Sequence, residues 1–135
     1  MEKAPGKPRV FKSRWSERFA RKEKIGDAVL IDAAARAQKG QVDADLGGGV
    51  IKQRIARPGQ GKSGGYRTII FFRQGERAVF AYGFAKSDRA NLSAEEEKEF
   101  KEAASHVLRL TDKQIEQLVK NGDFVEVRNE QEISK

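Results

Sequence analysis

The sequence predicts an α+β fold in which an N-terminal helical hairpin packs on a small antiparallel sheet, with further helices at the C-terminus. Three observations predict this fold. Apolar residues recur every three or four positions before residue 40, and every second position between Val50 and Ala56. Two S/T-x-x-E/Q patterns after residue 92 each indicate another helix start. The 135 residues are the length of one domain.

A strand and a first helix are predicted near the N-terminus. Residues 1–8 are expected to be a flexible leader, and residues 9–12 a short edge strand. Ser13 or Ser16 is suited to cap the helix. Its spacing of three to four residues places one set of side chains on roughly one face: Trp15, Phe19 and Lys22.

A second helix is predicted from Asp27 to Lys39, so that the two helices form a hairpin. Gly40 is well placed to end it. Residues 42–49, which include three consecutive glycines, are predicted to be a loop. The apolar stripe of the second helix comprises Val29, Leu30, Ala33, Ala34 and Ala37.

Three antiparallel strands are predicted in the middle of the chain. Residues 50–56 alternate, with one basic face and one largely apolar face. Residues 66–73 are apolar on both faces, as in a central strand, and residues 77–84 form the next strand. A two-residue turn at Gln74-Gly75 would pair Arg73 with Glu76, and this register places Arg67 opposite Tyr82.

The C-terminal part is predicted to contain two capped helices and a strand. Ser93 with Glu96 forms a capping box for a helix that runs to about Leu110. Thr111 with Gln114 forms another, for a shorter helix that ends near Gly122. Residues 124–127 are expected to add a last strand.

Positive charge is concentrated in the middle of the chain. The net charge is +7, and residues 50–89 alone carry nine Lys/Arg and two Asp/Glu, whereas residues 90–135 carry seven and eleven. A concentrated basic block favours a polyanionic partner such as nucleic acid. If the charge is considered by itself, a basic surface that only keeps the protein soluble explains it equally well.

Residue content argues against several kinds of chemistry. There is no cysteine, which excludes disulfides and thiolate metal sites. His106 is the only histidine, so a two-histidine ribonuclease is excluded and a Ser-His-Asp triad is disfavoured. Residues 59–64 fit G-x-G-x-x-G and residues 61–63 resemble the end of a P-loop, but strand formers follow where both motifs need a helix. We expect no metal and no cofactor.

A group of cations with few acidic residues around it remains as the candidate site. Lys52 and Arg54 share one face of a strand, beside the strand that carries Arg67. Guanidinium groups stabilise the charge on phosphate oxygens in a transition state, lysines can transfer protons, and tyrosines can stack on bases. The group comprises Lys52, Arg54, Arg57, Lys62, Arg67 and Lys86, with Tyr66 and Tyr82 nearby.

The stretches IKQRIAR, GKSGGYRTIIFF and VFAYGFAKSDRANLS resemble the core of RelE/HigB-type toxins from bacterial type II toxin–antitoxin systems. The elements G-G-G-x-x-K-x-R, G-K-S-G-G-x-R and F-A-K-x-[DE]-R occur together and in order, as in the HigB-like branch. The resemblance covers residues 9–108. It implies a RelE-like toxin domain over residues 9–110, followed by a C-terminal helix and strand extension over residues 111–135.

The resemblance implies a metal-independent endoribonuclease that enters the ribosomal A site and cuts mRNA there. In such an enzyme the 2′-hydroxyl attacks the adjacent phosphate, which leaves a cyclic phosphate and a 5′-hydroxyl. Arg54 and Arg67 are then assigned to phosphate stabilisation, Lys52 to substrate binding or proton transfer, and Lys86 to proton transfer. The residues assigned to RNA binding are Arg57, Lys62, Tyr66, Tyr82 and Arg89.

The sequence departs from the RelE prototype at two positions. Ser87 and Ser93 stand where the prototype has an arginine and a functional tyrosine. Arg89, Arg57, Lys62 and Tyr82 are the candidates to replace them.

The resemblance also implies partners: a cognate helix-turn-helix antitoxin, the ribosome with its 16S rRNA, and mRNA. An antitoxin that covers the basic sheet face and one that blocks the helical side are both open. A cytoplasmic protein without membrane contact is expected, because no apolar run approaches the roughly 20 residues of a membrane span. Two other functions are weighed: a non-catalytic nucleic-acid-binding module, and a ParE-like gyrase inhibitor.

Overall fold

Four helices and six strands follow one another along the described residues, 7–56 and 65–128, of a computed structural model. The strands are β1 (Arg9–Ser13), β2 (Ala44–Gly47), β3 (Val50–Ile55), β4 (Tyr66–Arg73), β5 (Arg77–Ala85) and β6 (Phe124–Val127). The helices are α1 (Arg14–Glu23), α2 (Asp27–Gln38), α3 (Ala94–Arg109) and α4 (Asp112–Lys120). Most of the predicted leader lies outside the described residues.

The helix ends follow the predicted local signals. Ser13 is the cap of α1, and its Oγ accepts the backbone N–H of Ser16 at 3.1 Å. The capping boxes at Ser93 and at Thr111 are both present. Gly40, just past the end of α2, has a φ of +83°, which a residue with a Cβ rarely adopts. Capping is local chemistry, so the sequence predicts it well.

The sheet is open and mostly antiparallel, with the strand order β2-β3-β4-β5-β1-β6, and β1 runs parallel to β5. The prediction of β1 as an edge strand is wrong, because β6 pairs with its other side. The predicted loop over residues 42–49 is also wrong in part, since β2 forms there and pairs Ala44 with Lys52. Aspartate and glycine have low strand propensity, so this short strand depends on its pairing with β3.

Helices cover both faces of the sheet. The α1–α2 hairpin packs on one face, over residues such as Ile51 and Ile70. The helices α3 and α4 pack on the other, over Ile69 and Phe71. The predicted α2 stripe is buried except for Val29, which is exposed. The buried positions 30, 33, 34 and 37 share one helix face, and Val29 lies about 100° from Leu30 around the axis.

Candidate functional site

Lys52, Arg54 and Arg67 lie on the sheet face that α3 covers in part. On β3, the two cations alternate with Gln53, and Arg54 is the register partner of Arg67 on β4. The apolar residues further along this face, such as Phe71, are covered by α3. We call the uncovered part, which carries Lys52, Arg54 and Arg67, the cationic face.

Gln53 fixes which side of β3 these cations occupy. Its buried amide nitrogen donates to the carbonyl oxygens of Ala33 at 3.0 Å and Gln41 at 3.1 Å. Its amide oxygen accepts the backbone N–H of Asp43 at 2.9 Å. The side chain therefore points into the α2 side of the sheet. Because side chains alternate along a strand, Lys52 and Arg54 point to the opposite side.

Arg67 carries a buried guanidinium nitrogen, Nη1, that has no hydrogen-bond partner among the described residues. Its neighbour across the strands is Arg54, another cation. Like charges directly opposite each other destabilise a sheet, and an unsatisfied buried donor adds to that cost. An anion bound by the two arginines would offset the repulsion between their charges, so this part of the cationic face is suited to a phosphate group.

Lys52 is held by a residue that the sequence analysis did not single out. Its Nζ donates to Asn91 Oδ1 at 2.9 Å, and the same oxygen accepts the backbone N–H of Leu92 at 2.9 Å. Asn91 therefore brings the loop between β5 and α3 to the cationic face. Only its place two residues before the cap at Ser93 could have drawn attention to it.

Arg89 fixes this loop. Its guanidinium forms hydrogen bonds to both carboxylate oxygens of Glu96 and to the backbone oxygen of Asn91, and it lies 5.4 Å from the ring centre of Phe84. The hydrogen bonds from Arg89, together with those from Ser93, lower the pKa of Glu96 to about 2. The same carboxylate raises the pKa of Arg89. Arg89 was assigned to RNA, but here it already has an anionic partner.

Tyr82 lies on the cationic face, but in a strand register that differs from the predicted one. The predicted pairing of Arg73 with Glu76, and of Arg67 with Tyr82, is wrong: Arg73 pairs with Arg77 and Arg67 with Phe84. The turn holds three residues, because Gly75 takes a φ of +76° and the N–H of Glu76 donates to Arg73 O at 3.0 Å.

A bulge in β5 adds a second residue to this shift. Ile70 pairs with Phe80 whereas Ile69 pairs with Tyr82, so Ala81 is the extra residue. The longer turn and the bulge together shift the register by two. Because a shift of two preserves the face, Tyr82 still lies on the side of Arg67, as its diagonal neighbour.

An exposed tryptophan borders Tyr82. The ring of Trp15, on α1, lies 4.5 Å from the ring of Tyr82 between centres. Its surface is 43% exposed. The sequence analysis placed Trp15 on one face of a helix but not near the cationic face. Its position results from a contact between α1 and β5, which are far apart in the chain.

The structure does not bring every candidate to the cationic face. Tyr66 is only 1% exposed and lies on the α1–α2 side, where its hydroxyl donates to Glu23 Oε1 at 2.7 Å. Lys86 is exposed just past β5, and its backbone N–H donates to Gly65 O at 3.4 Å, so it lies near the start of the strand that carries Arg67. Arg57 and Lys62 lie outside the described residues.

The two positions that depart from the RelE prototype have different surroundings. Ser87 is exposed, and Ser93 caps α3 by accepting the N–H of Glu96 at 3.1 Å.

His106 is exposed on α3. Among the described residues, no group of three or more His, Cys, Asp or Glu side chains is placed to hold a metal ion.

A family model described as "RelE toxin of RelE / RelB toxin-antitoxin system" matches residues 8–127. Comparison with curated proteins and with solved structures gave no match. No helix within residues 7–56 and 65–128 is long and apolar enough to cross a membrane.

Proposed function

The chain belongs to the RelE toxin family, and we propose that it is a ribosome-dependent mRNA endoribonuclease of the HigB-like branch that works without a metal ion. Members of the family are toxins of toxin–antitoxin systems, and they are generally endoribonucleases that inhibit translation. The proposal extends this to cleavage in the ribosomal A site, on a RelE-like arrangement of the domain over residues 9–110.

The observation that carries the proposal is the pair of opposed arginines on the cationic face. Arg67 Nη1 is buried without a partner among the described residues, opposite Arg54. In the proposed reaction the two guanidinium groups bind non-bridging oxygens of the scissile phosphate. They stabilise the charge that builds up there as the 2′-oxygen attacks.

Two proton transfers complete the reaction. The 2′-hydroxyl loses its proton to a base, the bond from phosphorus to the 5′-oxygen breaks, and that oxygen gains a proton from an acid. The products are a 2′,3′-cyclic phosphate and a 5′-hydroxyl. We assign these transfers to Lys52 and Lys86, because a lysine is a base when neutral and an acid when protonated.

The family implies an antitoxin partner. We propose that this partner is a helix-turn-helix protein, and that the toxin acts in the cytoplasm on ribosomes, where it contacts 16S rRNA and mRNA. Such an antitoxin would inhibit by covering the cationic face or by blocking the helical side.

Mapping of mRNA 5′ ends in a purified translation system tests the proposal. We expect cuts at A-site codons that require ribosomes, and a loss of at least about a hundredfold in Arg67→Ala, since removal of one oxyanion donor costs about that much. Arg67→Lys keeps the charge but loses the two-pronged geometry, so it should be impaired as well. Arg73→Ala, at the far end of the same strand, is the matched control and should cut normally.

Thermal unfolding of each variant identifies any loss that comes from misfolding. Absence of cuts from folded wild-type protein would overturn the enzyme proposal. A nucleic-acid-binding module or a gyrase inhibitor would then be favoured.

A further inference from the structure

Trp15 is an exposed aromatic side chain held in a fixed position. Its ring stacks on Phe19, with the ring planes at 17° and the centres 5.2 Å apart, and Tyr82 holds it from another side. Among the described residues, the only large apolar side chains that are exposed are Trp15 and Val29. A rigid ring with solvent-accessible surface offers a stacking surface to a ligand at little conformational cost.

Trp15 extends the cationic face from β5 onto α1. Tyr82 touches Trp15 and is the diagonal neighbour of Arg67 on β4 and β5, a separation of about 7–8 Å. The surface therefore runs from the proposed phosphate position at Arg67, across Tyr82, to the exposed indole of Trp15.

Two exposed cations follow Trp15 along α1. Arg18 and Lys22 come three and seven residues after it, on the same side of the helix, and both are exposed. Neither forms an ion pair among the described residues, whereas Arg14 pairs with Asp123 and Arg21 with Glu17. The exposed side of α1 thus combines one aromatic ring with two positive charges that have no ion-pair partner in the described part of the chain.

We propose that Trp15 stacks on an unpaired base of the strand whose phosphate binds at Arg67, and that Arg18 and Lys22 contact its backbone further along. Stacking on aromatic rings combined with cations along the backbone is how proteins bind single-stranded nucleic acid without reading its sequence. Because the surface runs from Arg67 across Tyr82 to Trp15, the strand that fits it is the substrate strand. The choice of the substrate strand rests on the proposed function, whereas the stacking of a base on Trp15 does not.

The fluorescence of Trp15 tests the proposal directly, because it is the only tryptophan in the chain. The probe is a single-stranded 2′-O-methyl-RNA oligonucleotide of mixed sequence, whose blocked 2′-oxygen prevents cleavage. Inorganic polyphosphate of equal charge serves as the anion without bases. We expect the oligonucleotide to quench the fluorescence at saturation and polyphosphate to leave it nearly unchanged.

Two variants separate stacking from charge. Trp15→Ala should weaken oligonucleotide binding by about 5- to 150-fold, the range that corresponds to one stacked base. The double variant Arg18→Ala/Lys22→Ala should reduce the slope of log affinity against log salt by about 1.4, because two phosphate contacts to a single strand are lost. It leaves the packing of Trp15 intact, so its result does not depend on whether Trp15→Ala folds.

The control variant is Lys39→Ala/Lys113→Ala. Lys39 directly follows Gln38, which binds the turn between β4 and β5, and Lys113 directly follows Asp112, which pairs with Arg77 at the start of β5. Both lysines are exposed at the end of the sheet opposite Arg67, so the salt slope should not change.

Oligonucleotide binding without quenching would overturn the proposal, as would the absence of oligonucleotide binding by the wild-type protein. A salt slope that falls equally in the control variant would overturn the role of Arg18 and Lys22. The proposed function is judged separately by the mRNA cuts, which would persist if only the role of Trp15 were wrong.

Discussion

Arg67 and Arg89 are both arginines near the cationic face, but their hydrogen-bond partners differ. Arg67 Nη1 lacks a partner among the described residues and faces another arginine. Arg89 binds Glu96 and the backbone of Asn91. Since Asn91 in turn holds Lys52, Arg89 acts on the cationic face by fixing the loop between β5 and α3.

The ion pair of Arg89 with Glu96 predicts a pH dependence of stability. The pKa of Glu96 is about 2 in the folded protein, because Arg89 and Ser93 donate to it, against 4.5 as its ordinary value. A carboxylate with a lowered pKa stabilises the fold above its unfolded pKa, and this contribution is lost as the pH falls through the folded pKa. The loss should therefore lie between about pH 4.5 and pH 2.

The variant Glu96→Gln tests this dependence. Glutamine also suits the third position of a capping box, so the substitution removes the charge and leaves the cap. Thermal unfolding should show a smaller loss of stability between pH 5 and pH 3 than in the wild-type protein. Glu95→Gln, in the same helical turn, is the control, and an equal effect there would contradict the assignment to Glu96.

At the scale of secondary structure, the cationic face depends on how β3 and β5 are held. Gln53 directs Lys52 and Arg54 away from α2, and the bulge at Ala81 returns Tyr82 to the side of Arg67. A strand that slips by one residue exchanges its two faces. The hydrogen bonds of Gln53 and the bulge at Ala81 therefore determine which side chains lie on the cationic face.

Gln53→Leu should destabilise the protein. The substitution removes three hydrogen bonds, a buried one to the carbonyl oxygen of Ala33 and two part-buried ones to Gln41 and Asp43, each worth about 1 kcal/mol. Urea unfolding should therefore show a free energy of unfolding lower by at least about 2 kcal/mol. Gln74→Leu, at an exposed amide with one hydrogen bond to Gln38, should change it by less than about 0.5 kcal/mol. Equal effects would mean that burial of Gln53 does not matter.

At the scale of the whole molecule, the last two described elements, α4 and β6, are integral to the fold. β6 pairs along β1, and α4 buries Ile115 completely. Arg9 on β1 forms ion pairs with Glu126 on β6 and Glu116 on α4. The division of the chain between residues 110 and 111 stays a prediction about where the toxin activity resides. The stability of the fold depends on residues from both sides of it.

A chain that ends at Leu110 should be less stable than the full chain and should self-associate. It would expose the edge of β1 and the apolar residues that α4 covers, and exposed strand edges promote aggregation. Urea unfolding and gel filtration measure both effects. A chain that ends at Arg128 keeps β6 and α4 and is the control. Equal stability of the two shortened chains would show that the fold does not need these elements.

The sequence by itself determined the helix starts, the bounds of five of the six strands closely, and the face of β3 that Lys52 and Arg54 share. Capping boxes and strand alternation act between residues close in the chain, so their physics can be read locally. The family resemblance rests on motifs with the same local character.

Only the tertiary structure decided the place of β1 inside the sheet, the bulge that aims Tyr82, the burial of Tyr66, the ion pair that engages Arg89, and the position of Trp15 beside the cationic face. Most of these depend on pairing between residues far apart in the chain. A local pattern does not encode such pairing, because register and packing are set jointly by all the elements that share the sheet.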